Sequence, residues 1–110
     1  MINVLIHRKN AYKVPVEKIK KKLNDVLKDK APEGALISVA FVDRKKMNKL
    51  VKKYYKNDPE NLYIHPILTF PYNDKDCFGE IIISWDDIES EANLLDLIEH
   101  GALHLIDIHH

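Results

Sequence analysis

Ala35 to Val42, ALISVAFV, is almost continuously apolar over eight residues, and Ile81, Ile82 and Ile83 repeat the pattern farther along. A strand that faces water on one side alternates apolar with polar residues. These runs do not, so they read as central strands buried on both faces. A chain that must cover both faces of such strands needs helices packed on a sheet.

The rest of the sequence supplies them. Ile2 to Ile6 is a short apolar run, a plausible first strand. From Val16 to about Lys30 the apolar residues Val16, Ile19, Leu23, Val26 and Leu27 recur at helical spacing, with lysines opposite and Pro15 just ahead as a start signal. Pro32 and Gly34 punctuate this helix. Asp43 is placed to cap a second helix, whose Met47, Leu50, Val51 and Tyr54 form a stripe among lysines. Residues 57 to 66 read as an ordered loop. Ile67 to Phe70 is a third strand stopped by Pro71, and Phe78 to Ser84 a fourth. Ser84, three residues before Asp87, has capping-box character, and Asp86 and Asp87 read as first-turn acids of the last helix. The order β-α-β-α-β-β-α predicts an α+β domain with a mixed sheet of about four strands, one domain over residues 1–110.

Composition sets modest limits. A chain of 110 residues can bury roughly two thirds of its unfolded surface and needs no disulfide, and the lone Cys77 cannot form one internally. No apolar stretch approaches a membrane span and the start lacks a signal-peptide layout, so a cytoplasmic protein without membrane partners is expected. The net charge of zero conceals a division. Residues 1–58 carry sixteen Lys or Arg against six Asp or Glu, whereas residues 59–110 carry one Lys against eleven acids. Such asymmetry suggests a basic surface for a polyanion in the first half and an acidic, cation-attracting region in the second. Lysines coating the solvent faces of two helices would give the same count.

Chemistry concentrates at the end. His100, His104 and His110 fall within eleven residues. On a helix, His100 and His104 stand one turn apart on the same side, off the stripe formed by Leu94, Leu95, Ile98, Ala102 and Leu105. A chain reversal after them could return His110 as a third ligand. Three nitrogen donors leave a fourth tetrahedral position open, the arrangement of a catalytic zinc site. Asp96, one turn before His100, could orient that ring, although a solvated acid is the plainer reading.

The segment HGALHLIDIHH also resembles the HGxLHLxGxDH signature of the YbeY family of endoribonucleases, the rRNA maturation factors, with His100, His104 and His110 in register. The resemblance extends upstream: Ile67 to Pro71 is similar to the family's VLSFP segment, Phe78 to Ser84 to its LGDIxIS strand, and Leu50 to Asp58 to its LNxxYRxKD helix end.

The resemblance implies a metal-dependent endoribonuclease that prefers single-stranded RNA and acts in rRNA processing and ribosome maturation. One zinc ion held by His100, His104 and His110 would activate water or polarise a phosphate oxygen. Ribosomal RNA and the ribosome or its proteins are the implied partners, and DNA is not. Arg44, Lys45, Lys49, Lys52, Lys53 and Lys56 are the expected RNA contacts. Four departures stand out. The family's glycine falls at Asp107, a residue type that tolerates the left-handed turn a chain reversal needs. Tyr55 occupies the position of the family's arginine, which leaves Lys56 or Lys53 as the phosphate contact, a point charge without the bidentate fork. The family's aspartate falls at His109, beside His110. The sequence ends where family members continue into a C-terminal helix. The runner-up reading is therefore a catalytically weakened, metal-containing RNA- or ribosome-binding protein of the same fold. A peptidase is disfavoured because Gly101 stands where HExxH needs glutamate. A closed structural zinc site would require a fourth ligand such as Cys77, His65 or His7.

Overall fold

The computed structural model describes residues 1–54, 66–72 and 77–109. In chain order the elements are β1 (Asn3–His7), α1 (Val16–Leu27), β2 (Leu36–Val42), α2 (Arg44–Tyr54), β3 (Ile67–Pro71), β4 (Gly79–Ser84) and α3 (Glu91–His109), with a 3-10 turn over Trp85–Asp87. This is the predicted order. The strands form one sheet, β1-β2-β4-β3, in which β1, β2 and β4 are parallel and β3 runs antiparallel to β4.

Strand geometry sends alternate side chains to opposite faces, and both faces of the central strands are apolar. Ile37, Val39 and Phe41 of β2, with Ile81 and Ile83 of β4, point into the larger core beneath α1 and α3. Ile19, Leu23 and Leu27 of α1 and Leu94, Ile98 and Leu105 of α3 close that core, all at 1% exposure or less. On the other face, Ile82 and Leu68 pack under Met47 and Val51 of α2, with Ala40, Val42 and Phe70 beside them. Helices therefore sandwich the sheet. Cover is incomplete over β1, where Leu5 is 48% exposed.

Element ends differ from the sequence expectation for local reasons. Ile2 leaves β1 because its N–H donates to the Asn24 side chain of α1. The first helix stops at Leu27, since the N–H groups of Lys30 and Ala31 both turn back to the Leu27 carbonyl, and Gly34 follows at φ +79°. Pro71 continues β3 rather than stopping it, opposite Gly79. An edge strand tolerates proline because one row of its backbone groups has no ladder partner.

The largest correction concerns the start of α3. Ser84 forms no side-chain cap; it precedes the 3-10 turn, and the helix begins seven residues later at Glu91. Its cap is Ser90, whose Oγ accepts from the N–H of Asn93 at 3.0 Å. Asp86 and Asp87 therefore lie ahead of α3 and serve α2. The Asp86 carboxylate accepts from the N–H of Arg44, and Asp87 pairs with the Arg44 guanidinium, so both acids sit at the positive end of the α2 dipole.

Candidate metal centre and basic surface

α3 lies on the sheet with an approach set by Gly101. A Cβ at that position would come within 2.9 Å of Ile67 Cδ1 and 3.3 Å of both Thr69 Cγ2 and Ile81 Cδ1. The absence of a side chain lets the helix settle against β3 and β4. His100 and His104 lie off that line of contact, and both are exposed. Their rings converge as one helical turn requires. The Nε2 atoms stand 2.9 Å apart, the ring centroids 4.4 Å, and the planes are inclined by 78°.

That spacing is a hydrogen bond in which one imidazole donates and the other accepts. Two nitrogens on a tetrahedral zinc, each bonded at roughly 2.0–2.1 Å, lie about 3.3 Å apart, so a small ring rotation turns the pair into two adjacent ligands. The two donors fit a metal of that class. The rest of the set is not assembled around them. α3 continues through Asp107 to His109, and no residue other than glycine has positive φ among the described residues, so the reversal expected at Asp107 is absent. A helix rises about 1.5 Å per residue, which carries the backbone at position 109 roughly 14 Å along the axis from His100. His110 itself lies outside the described residues. Among the described residues, no group of three or more His, Cys, Asp or Glu side chains is placed to hold a metal.

The other expected ligands and helpers are dispersed. Asp96 is exposed and makes no hydrogen bond to either ring, which fits the solvated reading. His7 is on β1, the far edge of the sheet from β3. The Cys77 thiol donates to the Gly79 carbonyl at 3.5 Å. His65 lies outside the described residues.

The basic helix α2 packs on the face of the sheet opposite α3. Lys45, Lys46, Lys49, Lys52 and Lys53 are exposed along it, and Lys56 lies outside the described residues. Arg44 differs from these lysines. Its Nε and Nη2 donate to Asp87 Oδ1 at 3.1 and 2.7 Å, and its Nη2 also reaches the Asp86 carbonyl. The neighbouring carboxylate of Asp87 raises the affinity of Arg44 for its proton. Arg44 thus anchors the start of α2, a role the sequence did not suggest. In turn, the Ser84 hydroxyl first and the Arg44 guanidinium second hold the Asp87 carboxyl below the usual carboxylate range. The Ser84 hydroxyl is buried and makes no well-formed hydrogen bond among the described residues, so the Arg44 contacts at 3.1 and 2.7 Å are the firmer support of that carboxylate. No helix among the described residues is long and apolar enough to cross a membrane.

The family model described as Endoribonuclease YbeY matches residues 5–110. The chain is 28% identical over 97 residues to the Endoribonuclease YbeY of Thermosipho melanesiensis, a match that covers 80% of this chain and 67% of that protein. A family match over nearly the whole length places this chain in the YbeY endoribonuclease family.

Proposed function

We propose that this protein is a metal-dependent endoribonuclease that cleaves single-stranded RNA in rRNA processing and ribosome maturation in the cytoplasm. The observation that carries the reading is the exposed His100–His104 pair, with Nε2 atoms 2.9 Å apart, in a chain of the YbeY family. His100 and His104 would hold one zinc-class ion, with His110 as the third ligand. Such an ion, when bound, supplies a Lewis acid with an open position for water or a phosphate oxygen.

The chain's own residues have three tasks in this reading. Gly101 holds α3 against β3 and so fixes where the two imidazoles stand. The last turn, Asp107 to His109, must leave its helical course for His110 to join them, an ordering cost that ligand binding offsets. Lys45, Lys49, Lys52 and Lys53 of α2, with Lys56 beyond it, supply the cationic track for the phosphodiester backbone. α2 leaves the end of the sheet where β2 and β4 finish and packs back over Ile82 and Phe70; α3 likewise runs back until Leu105 meets Gly79, the first residue of β4. The C-terminal ends of the two helices therefore approach the same end of the sheet, on either side of edge strand β3.

The test is metal stoichiometry by calorimetry beside cleavage of a generic single-stranded RNA. Wild-type protein should bind one zinc per chain and cleave. His104→Ala should lose both, and His110→Ala should weaken metal binding sharply. One tight metal retained in His104→Ala would overturn the ligand assignment. A specific observation favours a second reading: Tyr55 stands where the family has arginine. A filled metal site without cleavage would make the protein an RNA- or ribosome-binding relative that has lost catalytic strength.

A further inference from the structure

At the carboxyl ends of the parallel strands, between the β1–α1 connection and the start of α3, lies a cavity of about 420 Å³ lined in part by Lys13, Pro15, Trp85, Ile88, Glu89 and Leu94. Crevices outside the carboxyl ends of parallel strands are where open α/β sheets bind ligands, and this volume falls in the range of small-molecule sites. We propose that this cavity is a guanine-nucleotide subsite, in which Trp85 stacks on the base, Glu89 accepts from its Watson–Crick edge and Lys13 meets its phosphate.

The aromatic wall is rigid. Trp85 stacks on Tyr12 with ring centroids 5.0 Å apart and planes within 20°, and Phe41 meets it edge-on at 5.6 Å. Tyr12 and Phe41 are buried, so the indole is braced from within, and Trp85, itself half-buried, lines the cavity. An aromatic platform of this kind is how proteins hold unstacked bases, and every base offers a π-face to it. Pro15, Ile88 and Leu94 make the remainder of the wall apolar.

The charged groups select among bases. Glu91, also at the cavity, is committed to Lys18 of α1 at 2.9 Å. Glu89 and Lys13 have no ion-pair partner among the described residues, so one free carboxylate and one free ammonium rim the same cavity. A ligand that satisfies both carries paired N–H donors at one end and an anion at the other. Guanine presents two adjacent donors, the ring N1–H and the exocyclic amine, which match the two oxygens of a carboxylate; adenine, cytosine and uracil do not present that pair. The 5′-phosphate supplies the anion.

The site deepens the nuclease reading, on which its biological use rests. The cavity adjoins the first turns of α3, and His100 and His104 follow Leu94 by six and ten residues, about 9 and 15 Å along the helix axis. A guanine seated there would fix the register of an RNA strand relative to the histidines.

Trp85 is the sole tryptophan, so its fluorescence reports on the cavity directly. Full-length protein titrated with GMP should show saturable quenching, roughly tenfold tighter than with AMP, CMP or UMP. Inosine monophosphate, which lacks the exocyclic amine, should bind more weakly than GMP. Glu89→Gln should erase the preference for guanine, and Lys13→Gln should make GMP no tighter than guanosine. His104→Ala should quench like wild type, which separates this site from the metal centre. The single-stranded pentanucleotide UUGUU should quench where UUAUU does not; quenching by GMP alone would assign the pocket to free nucleotide and overturn the RNA register. Absence of saturable quenching by any nucleotide, or equal affinities unaffected by Glu89→Gln, would overturn the site. Intact quenching in a protein that cuts no RNA would sink the nuclease reading and leave the pocket standing.

Discussion

Asp43 shows how much one side chain settles at the start of an element. Its Oδ1 accepts from the N–H of Lys46 at 2.7 Å, capping α2, while Oδ2 meets the Lys9 ammonium at 3.2 Å. The backbone N–H of Lys46 first, then Lys9, holds the Asp43 carboxyl below its ordinary range. A carboxylate depressed on folding contributes stability that is present above the unfolded-state value near 4 and drains away as pH falls below it. Asp43→Ala should lower the melting temperature at neutral pH by roughly 4–8 °C, as loss of a cap in a domain of this size does. Asp43→Asn should keep most of the cap while losing that acid dependence. Thermal melts of the three proteins between pH 3 and 7 check both points, and equal acid dependence in wild type and the Asp43→Asn variant would put the sensitivity elsewhere, with Asp87 next in line. The cap was legible from sequence because Asp followed by an apolar stripe is a local signal. The partnership of Arg44 with Asp86 and Asp87 was not, since it joins residues more than forty positions apart that only the pairing of β2 with β4 makes neighbours.

At the scale of elements, the order of elements along the chain and the central place of β2 and β4 were readable because burial on both faces leaves continuous apolar runs in those two strands, and the amphipathic stripes of α1 and α2 are local. Where α3 begins was not. Ser84 and Ser90 both precede acids; Ser90 takes the cap through the N–H of Asn93, while Trp85, which follows Ser84, stacks on Tyr12 in the 3-10 turn ahead of the helix. The histidine pair was legible, since i, i+4 spacing is intrinsic to a helix, whereas the course of the chain beyond Ile106 was not: tolerance of Asp for a left-handed turn permits a reversal and does not impose one. Gly101 couples the element to its site. Gly101→Val puts a Cβ where 2.9 Å separates it from Ile67 Cδ1, and should cost about 1–3 kcal/mol as overpacking does. Shortening the neighbour in Gly101→Ala/Ile67→Val should recover stability relative to Gly101→Ala alone, because Ile67 Cδ1 is the nearest obstruction. Purely additive effects in that double-mutant cycle would mean that α3 does not depend on this contact for its seat.

For the molecule as a whole, the charge division becomes spatial. The basic first half forms two lysine-bearing helices, α1 beside α3 on one face of the sheet and α2 alone on the other. An RNA strand drawn to the histidines could follow either. α1 offers Lys20, Lys21 and Lys22, but Lys18 is already paired with Glu91, and Asp25 shares its surface. α2 has no acid within its length and carries Lys52 and Lys53 in its last turn, toward the sheet end that α3 also approaches. The second path is the more uniformly cationic. Every phosphate that goes unneutralised on a single strand lowers the slope of log affinity against log salt by roughly 0.7, so Lys45, Lys49 and Lys52 replaced together by Gln should reduce that slope by about 2 if all three meet phosphates. Replacing Lys20, Lys21 and Lys22 should leave it much closer to wild type, although the change in net charge is identical. Filter binding of a generic single-stranded RNA over a range of salt concentrations measures both. The reverse ranking would move the track to the α1–α3 side of the sheet, and equal small effects would mean that both helices carry lysines only to keep their outer faces in water, leaving selection of RNA to the base-binding cavity and the metal centre.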